Sequence, residues 1–232
     1  MTDWQVEYLV GPADDLFNGP DSSAAVLSKA SKIEPSVRFI AVDAPVLVLG
    51  SGQSETVVGV VSNFVRRRSG GGAVWLDPLE QVWVDLIVPR SHRLWDSDVT
   101  DSFQWVGQVW ADAIRLLGVP DPLEVHHGRL VPSDWSGLLC FAGTGPGEVF
   151  ARQRKLVGLS QRRARAGSLF QCGILTKWSF DVDWFSVEVR PEPRGVLAEQ
   201  AGIGLAELGV APSHDEIRSA FLTALAAVEP PG

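Results

Sequence analysis

A triple arginine that runs directly into three consecutive glycines most constrains how this chain can fold. The stretch Arg66 to Pro78 reads RRRSGGGAVWLDP and ends in an apolar, strand-like run. Glycine lacks a Cβ, so the backbone can adopt positive φ and bring several N–H groups close to a ligand. Guanidinium groups add two-pronged contacts to phosphate or carboxylate, and Ser69 adds a hydroxyl donor. The pattern predicts an anion-binding turn between two strands; the alternative is a flexible hairpin beside a solvated charge run.

The other basic cluster lies in the segment from Arg152 to Gly173, which reads RQRKLVGLSQRRARAGSLFQCG. Lys155 is one of only four lysines in the chain, and it alone occurs within an apolar, strand-like sequence. A buried lysine is costly unless it has an anionic partner. The alternative is that its stem packs while its ammonium group reaches water. We therefore treat Lys155 as a candidate binding residue and expect its strand to face the glycine turn.

Taken together, the two segments resemble the lipoate-protein ligase A family of the biotin/lipoate protein ligase catalytic domain superfamily. The resemblance rests on RRRSGGGAVW (66–75) followed by Asp77, on RKLVGLSQRR (154–163), and on the preceding LVLGSGQ (47–53). It implies an α/β (α+β) fold, with a mixed, largely antiparallel sheet flanked by helices. We expect a single catalytic domain over residues 1–232 without an accessory domain, in which residues 45–175 form the motif-bearing core.

In this family a medium-chain acid, lipoate or octanoate, is joined to AMP with ATP and then transferred to a lysine of a lipoyl carrier domain. The resemblance therefore implies ATP, with Mg²⁺, as the cofactor. It implies lipoyl domains of 2-oxoacid dehydrogenase complexes or the glycine-cleavage H protein as acceptors. Lys155 would be catalytic and hold the carboxyl or acyl-phosphate oxygens. The residues expected to bind the substrate or nucleotide are Arg67, Ser69, Gly70, Gly71, Gly72, Ala73, Val74, Trp75, Asp77 and Gly158.

Cys140 supports a different mechanism within the same superfamily. Its setting, LLCFAGTGPGEVF, precedes Lys155 and resembles the octanoyltransferase branch, in which a cysteine at this place forms an acyl-thioester. A thiolate is a strong nucleophile, and a neighbouring cation or helix end would activate it. In that case an acyl carrier protein would be the donor. The alternative is a buried cysteine that packs as a small apolar residue.

The sequence also departs from the ligase pattern. Leu76 stands where a histidine is expected, and Leu79-Glu80 stand where Gly-Asn usually follows the aspartate. These departures leave open a third possibility, a non-catalytic protein that binds a nucleotide or acyl ligand. The acyl group, whether lipoyl, octanoyl or biotinyl, is not decided by the sequence.

Composition excludes several other classes of protein. The net charge of −8 argues against a general binder of nucleic acid or anionic membranes, yet nine of the twenty basic residues fall in the two clusters described above. Two cysteines do not form a disulfide framework, no metal-ligand spacing occurs, and the adjacent His126 and His127 would point to opposite faces of a strand. The chain also shows no signal peptide and no long apolar run, so we expect a cytoplasmic protein without a membrane span or a metal site.

Hydrophobic periodicity and punctuation predict the secondary structure. The sequence predicts a helix over 98–117, and a second, C-terminal helix over 214–228 that starts with a capping box at Ser213 and Glu216. Residues 11–23 and 229–232 are predicted to be loops or frayed ends. Strands are predicted at 46–49, 60–65, 82–88, 138–141, 148–150, 155–159 and 169–174.

Overall fold

The computed structural model describes residues 4–29, 32–60, 63–186 and 200–228. Within them the strands are β1 (Gln5–Gly11), β2 (Ser36–Val42), β3 (Val46–Leu49), β4 (Phe64–Arg66), β5 (Val74–Leu76), β6 (Gln81–Pro89), β7 (Leu123–Val125), β8 (Val149–Ala151), β9 (Arg154–Ala164) and β10 (Gly167–Leu175). The helices are α1 (Ala13–Asn18), α2 (Ser23–Lys29), α3 (Ser102–Leu116) and α4 (His214–Ala227).

Two sheets organise the molecule. The large sheet has seven strands in the order β1-β2-β6-β10-β9-β8-β7, and the small sheet has the order β4-β3-β5. In the large sheet only the pair β1–β2 is parallel, and in the small sheet β3 runs parallel to β4 and antiparallel to β5. The predicted mixed, largely antiparallel sheet flanked by helices is therefore confirmed.

Both faces of the large sheet are covered. Every residue of β6 and of β10 is buried, as expected for central strands that pack on two sides. Helices α3 and α4 contact each other and cover one face. The small sheet and α2 cover the other face, where the small sheet forms a second apolar cluster around Leu47, Val74 and Trp83. No described helix is long and apolar enough to cross a membrane.

The strongest periodic patterns predicted their elements well. The strands predicted at 46–49, 82–88, 155–159 and 169–174 lie in β3, β6, β9 and β10. Helix α4 begins with the predicted capping box, in which Ser213 and Glu216 cap each other's backbone N–H groups. Helix α3 begins four residues later than predicted, because the Asp98 side chain accepts hydrogen bonds from the backbone of Thr100 and Asp101 and holds a turn there.

Other predictions were wrong. Residues 11–23 are not one loop, since they contain α1 and the first residue of α2. The segment 138–141 is not a strand: Leu139 makes one isolated bridge to Ala73, and a 3-10 turn follows at Cys140–Ala142. A short apolar run does not by itself distinguish a buried turn from a buried strand. The strand predicted at 60–65 is found at Phe64–Arg66, while residues 61–62 and the tail 229–232 lie outside the described residues.

Candidate active site

The glycine turn is built around the guanidinium group of Arg67. This side chain is only 2% exposed and donates to the carbonyl oxygens of Val48 (3.1 Å), Gly70 (2.7 Å) and Gly72 (2.9 Å). It also donates through Nε to Ser69 Oγ at 3.1 Å. Because these acceptors come from β3 and from three residues of the turn, Arg67 fixes the path of the backbone between β4 and β5.

Two glycines are required by the shape of this turn. Gly71 has φ of 94°, in the left-handed region that side chains disfavour. At Gly72 a Cβ would lie 2.7 Å from the backbone nitrogen of Cys140 and from the carbonyl carbon of Leu139. The turn thus packs directly against the segment that carries the cysteine, and a larger residue at position 72 would push the two apart.

Cys140 is held against the turn by backbone pairing. Its N–H donates to Ala73 O at 2.9 Å, and Ala73 N–H donates to Leu138 O at 2.7 Å. A Cβ at Gly71 would lie 3.1 Å from Arg67 Nη2 and 3.7 Å from Cys140 Sγ, so the guanidinium group and the thiol face the same point. Burial lowers the pKa of Arg67, while the charge and hydrogen bonding of the Cys140 side chain raise it.

Lys155, the second residue of β9, points into the same region and is 1% exposed. Its ammonium group contacts both carboxylate oxygens of Glu148, at 2.8 Å and 2.7 Å, and donates to the carbonyl oxygen of Cys140 at 2.7 Å. Glu148 also accepts from the backbone N–H of Gly145 at 2.5 Å and of Leu159 at 3.3 Å. The lysine therefore has the anionic partner that its burial requires.

These elements meet at one cleft of about 620 Å³. Its lining includes the three glycines 70–72, Cys140, Glu148 and Lys155. A narrow chamber of about 20 Å³ lies beside it, lined mainly by apolar groups such as Val74, Trp83, Phe141 and Leu159. Cys140 borders both spaces. The structure thus brings the glycine turn and Lys155 together, as the sequence predicted.

A chain of buried polar side chains extends from the turn into the large sheet. Ser69 Oγ donates to Gln171 Oε1 at 2.7 Å, and Gln171 Nε2 donates to Asp85 Oδ1 at 3.2 Å. Asp85 also accepts from Trp83 Nε1 at 2.8 Å. Burial raises the pKa of Asp85, and its hydrogen bonds and the charge of Arg38 only partly oppose this. The network links the site to the centre of the sheet.

Not all predicted site residues lie at the cleft. Gly158 and Val74 line the chamber, and Ala73 supports Cys140 through its backbone. Successive residues of a strand point to opposite faces, so Trp75 turns away from Val74 and stacks on Trp184 with ring centroids 4.9 Å apart. Asp77 accepts a hydrogen bond from the backbone of Leu79 within its own turn. Neither Trp75 nor Asp77 lines the described cleft or chamber.

Sequence reasoning did not assign roles to Glu148, Gln171 or Asp85. Glu148 could have been found from one signal, an acidic residue in an otherwise uncharged stretch ahead of a buried lysine. Of the two adjacent histidines, His126 contacts Arg129 O through Nε2 at 3.0 Å. Among the described residues, no group of three or more His, Cys, Asp or Glu is placed to bind a metal ion.

A family model described as the lipoyl protein ligase A/B catalytic domain matches residues 23–226. The chain belongs to this family. The match covers most of the chain and includes the glycine turn, Cys140 and Lys155. No curated protein matches the chain significantly.

Three solved structures with a similar fold are described as lipoate protein ligases, and each match covers 97% of this chain. A bipartite lipoate protein ligase from Thermoplasma acidophilum, described with its E2 lipoyl domain, is 18% identical with a TM-score of 0.73 over 83% of its length. The T. acidophilum ligase Ta0514 with bound lipoic acid is 17% identical with a TM-score of 0.70, over 85%. A lipoate-protein ligase A bound with ATP is 18% identical with a TM-score of 0.70, over 85%. At these identities the likeness shows the fold.

Proposed function

We propose that this protein transfers a medium-chain acyl group, octanoyl or lipoyl, to a lysine of a lipoyl domain, with Cys140 as the nucleophile that carries the acyl group. The observation that supports this best is the place of Cys140 between the narrow apolar chamber and the open cleft. An alkyl chain needs an apolar space, and the lysine of a carrier domain needs an open approach to the thioester. Cys140 meets both requirements, because it lies where the apolar chamber adjoins the open cleft.

The reaction has two balanced steps. In the first, the Cys140 thiolate attacks the carbonyl carbon of an acyl-carrier thioester; the new carbon–sulfur bond forms, the old one breaks, and the donor leaves as a thiolate that takes a proton from water. In the second, the neutral amine of the acceptor lysine attacks the enzyme thioester, the amide bond forms, and Cys140 leaves as thiolate while the amine proton passes to water. Both steps develop negative charge on the carbonyl oxygen, which fixed N–H dipoles and cations of the site would stabilise.

The dimensions of the chamber set a further requirement. At about 20 Å³ it has room for one or two water molecules, so an octanoyl chain enters only if the lining side chains move apart. Trp83 and Phe141 are the large groups at this place, and Trp83 is fixed by its hydrogen bond to Asp85. We therefore expect acyl binding to reposition Phe141 rather than Trp83.

The choice of acceptor is supported by the comparisons. One similar solved structure is described as a lipoate ligase with its E2 lipoyl domain, and another is described with bound lipoic acid. We accordingly propose a lipoyl domain as the acceptor.

The second candidate is an ATP-dependent ligase that first forms acyl-AMP. It is favoured by the complete glycine triplet at 70–72, since its backbone lines the open cleft, and by a fold neighbour described as bound with ATP. A dedicated Mg²⁺ site does not fit the described residues. Glu148 is the carboxylate at the cleft, but both of its oxygens contact Lys155.

A two-donor assay tests both candidates. The protein is incubated with a lipoyl domain and with either octanoyl-acyl carrier protein or octanoate plus ATP, and the products are measured by mass spectrometry of the intact proteins. We expect acylation from the thioester donor and a covalent octanoyl adduct on Cys140 when the acceptor is omitted. Acylation only from octanoate and ATP would support the ligase instead. No acylation from either donor, with octanoate bound, would indicate a non-catalytic binding protein.

A further inference from the structure

Arg67 is a buried cation without a carboxylate partner among the described residues. Its four hydrogen-bond acceptors are three carbonyl oxygens and the Ser69 hydroxyl, which are all uncharged. A charge removed from water is costly unless an opposite charge lies near it. This environment therefore favours an anion next to the guanidinium group.

The ionisable group that faces Arg67 is the thiol of Cys140. Both groups lie near the position that a Cβ on Gly71 would occupy: Arg67 Nη2 is 3.1 Å from it and Cys140 Sγ is 3.7 Å from it. The Cys140 side chain raises the pKa of Arg67 against the larger effect of burial. The guanidinium group is held in this position by the turn itself, so it does not need to move to act on the sulfur.

Lys155 is not the cation that faces the sulfur of Cys140. Its ammonium group is committed to the two Glu148 oxygens and to the carbonyl oxygen of Cys140, which accounts for its three N–H donors. The ion pair has no net charge, so its field at the sulfur is weaker than that of an unpaired cation. The lysine contacts the backbone of Cys140, whereas Arg67 faces its side chain.

We infer that Arg67 is the counter-ion that stabilises the Cys140 thiolate, while the Lys155–Glu148 pair fixes the backbone of the cysteine. Arg67 thereby becomes a catalytic residue of the proposed reaction, in a different role from the contact with the acyl substrate that the family resemblance implies. This inference rests on the proposed function, because the proposed reaction is the one that uses the thiolate as a nucleophile. The electrostatic claim itself can be tested without any acyl donor.

The test measures how fast iodoacetamide alkylates Cys140 at pH 7, by peptide mass spectrometry of the folded protein. Cys172 is the internal reference, because it is buried and burial raises its pKa far above the ordinary value. We expect Arg67→Gln to slow alkylation of Cys140 about tenfold or more, since an adjacent opposite charge favours the ionised form of a group by at least about that factor. Arg67→Lys, which keeps a cation, should lose less.

The charged groups that we find packed around Cys140 in the described chain are Arg67, from the glycine turn, and the Lys155–Glu148 pair, from β9 and the approach to β8. The matched control is Arg68→Gln, which makes the same substitution at the exposed neighbour of Arg67 and leaves Arg67 and the ion pair in place. Its alkylation rate should stay within about threefold of the original protein. An unchanged rate in Arg67→Gln, or a loss in Arg68→Gln as large as that in Arg67→Gln, would overturn the inference.

A second measurement uses the unmutated protein, in case Arg67→Gln does not fold. The anionic reagent iodoacetate is compared with neutral iodoacetamide, on the folded protein and on the protein unfolded in urea. A cation beside the sulfur should raise the iodoacetate-to-iodoacetamide rate ratio in the folded state, and a ratio no higher than in urea contradicts the inference.

An Arg67 effect without acyl transfer from either donor would count against the proposed function alone. Transfer through Cys140 without an Arg67 effect would count against this inference alone.

Discussion

Arg67 in the glycine turn and Lys155 on β9 are both almost fully buried, yet the protein surrounds them differently. Lys155 lies against a carboxylate that is itself held by two backbone N–H groups. Arg67 is surrounded by uncharged oxygens and faces a thiol. An ion pair is neutral and acts mainly through its geometry, whereas an unpaired cation acts on nearby groups through its field. In the reaction that we propose, Lys155 is therefore a structural cation and Arg67 a chemical one.

The largest expected effect comes from replacing Cys140, which lies between Arg67 and Lys155. Cys140→Ser should lower acyl transfer from octanoyl-acyl carrier protein at least about a thousandfold, because a serine hydroxyl is a far weaker nucleophile than a thiolate. The matched control is Cys172→Ala on β10, which removes a buried thiol outside the cleft. The initial rate of lipoyl-domain acylation measures both variants. A Cys140→Ser protein that keeps full activity would exclude the thioester intermediate.

Removal of one member of the ion pair should affect folding. Glu148→Ala leaves the Lys155 ammonium group buried without a carboxylate, so we expect the free energy of unfolding to fall by about 3 to 5 kcal/mol. The double variant Glu148→Gln, Lys155→Met should recover most of that loss, since it removes both buried charges. Urea unfolding followed by circular dichroism measures each protein. If Glu148→Ala were as stable as the original, the pair would not be the structural element that we describe.

The glycine turn allows a matched comparison of its own. A Cβ at Gly72 would lie 2.7 Å from backbone atoms of Leu139 and Cys140, whereas a Cβ at Gly70 meets nothing within 4 Å. We expect Gly72→Ala to cost about 1 to 3 kcal/mol in stability and to reduce transfer, because it displaces the cysteine from Arg67. Gly70→Ala should change stability by less than about 0.5 kcal/mol. Thermal unfolding and the transfer assay distinguish the two, and equal effects would show that the turn does not position Cys140.

Sequence reasoning predicted the parts of this site that local patterns determine. The glycine turn lies next to three arginines in the sequence, and Lys155 is conspicuous because the chain around it is apolar. The sequence could also predict that these two segments belong together, because they resemble one family in the same order. It could not show which arginine is buried, since Arg66, Arg67 and Arg68 are the same residue type and only the fold turns one of them inward.

Contacts between distant segments were the part that the sequence could not supply. Gln171 and Asp85 are ordinary polar residues in strands, and their link to Ser69 exists because β6 and β10 are neighbours in the large sheet. Likewise, Trp75 follows the glycine turn in the sequence but alternates to the other side of β5 from Val74. Chain proximity predicted that Trp75 lines the site, whereas the strand geometry places it in a neighbouring pocket that Val74 and Phe141 also line.

The smallest expected effect concerns Asp85, at the far end of the network that supports Arg67. Burial raises the pKa of Asp85 above the ordinary value of 3.8, so the folded protein holds this proton more tightly than the unfolded chain. Ionisation of Asp85 therefore costs stability, and the cost grows as the pH rises from about 4 through the raised pKa.

Asp85→Asn removes that titration while it keeps an oxygen to accept from Trp83 and Gln171. Near pH 4 the two proteins should differ by less than about 1 kcal/mol, and the variant should gain relative to the original as the pH increases. Urea unfolding at several values between pH 4 and pH 8 measures the difference. A variant that instead loses stability as the pH rises would show that the ionised carboxylate is favoured in the fold. Asp85 would then be a charged partner of a cation, as Glu148 is. The contrast between the surroundings of Arg67 and Lys155 would be weaker.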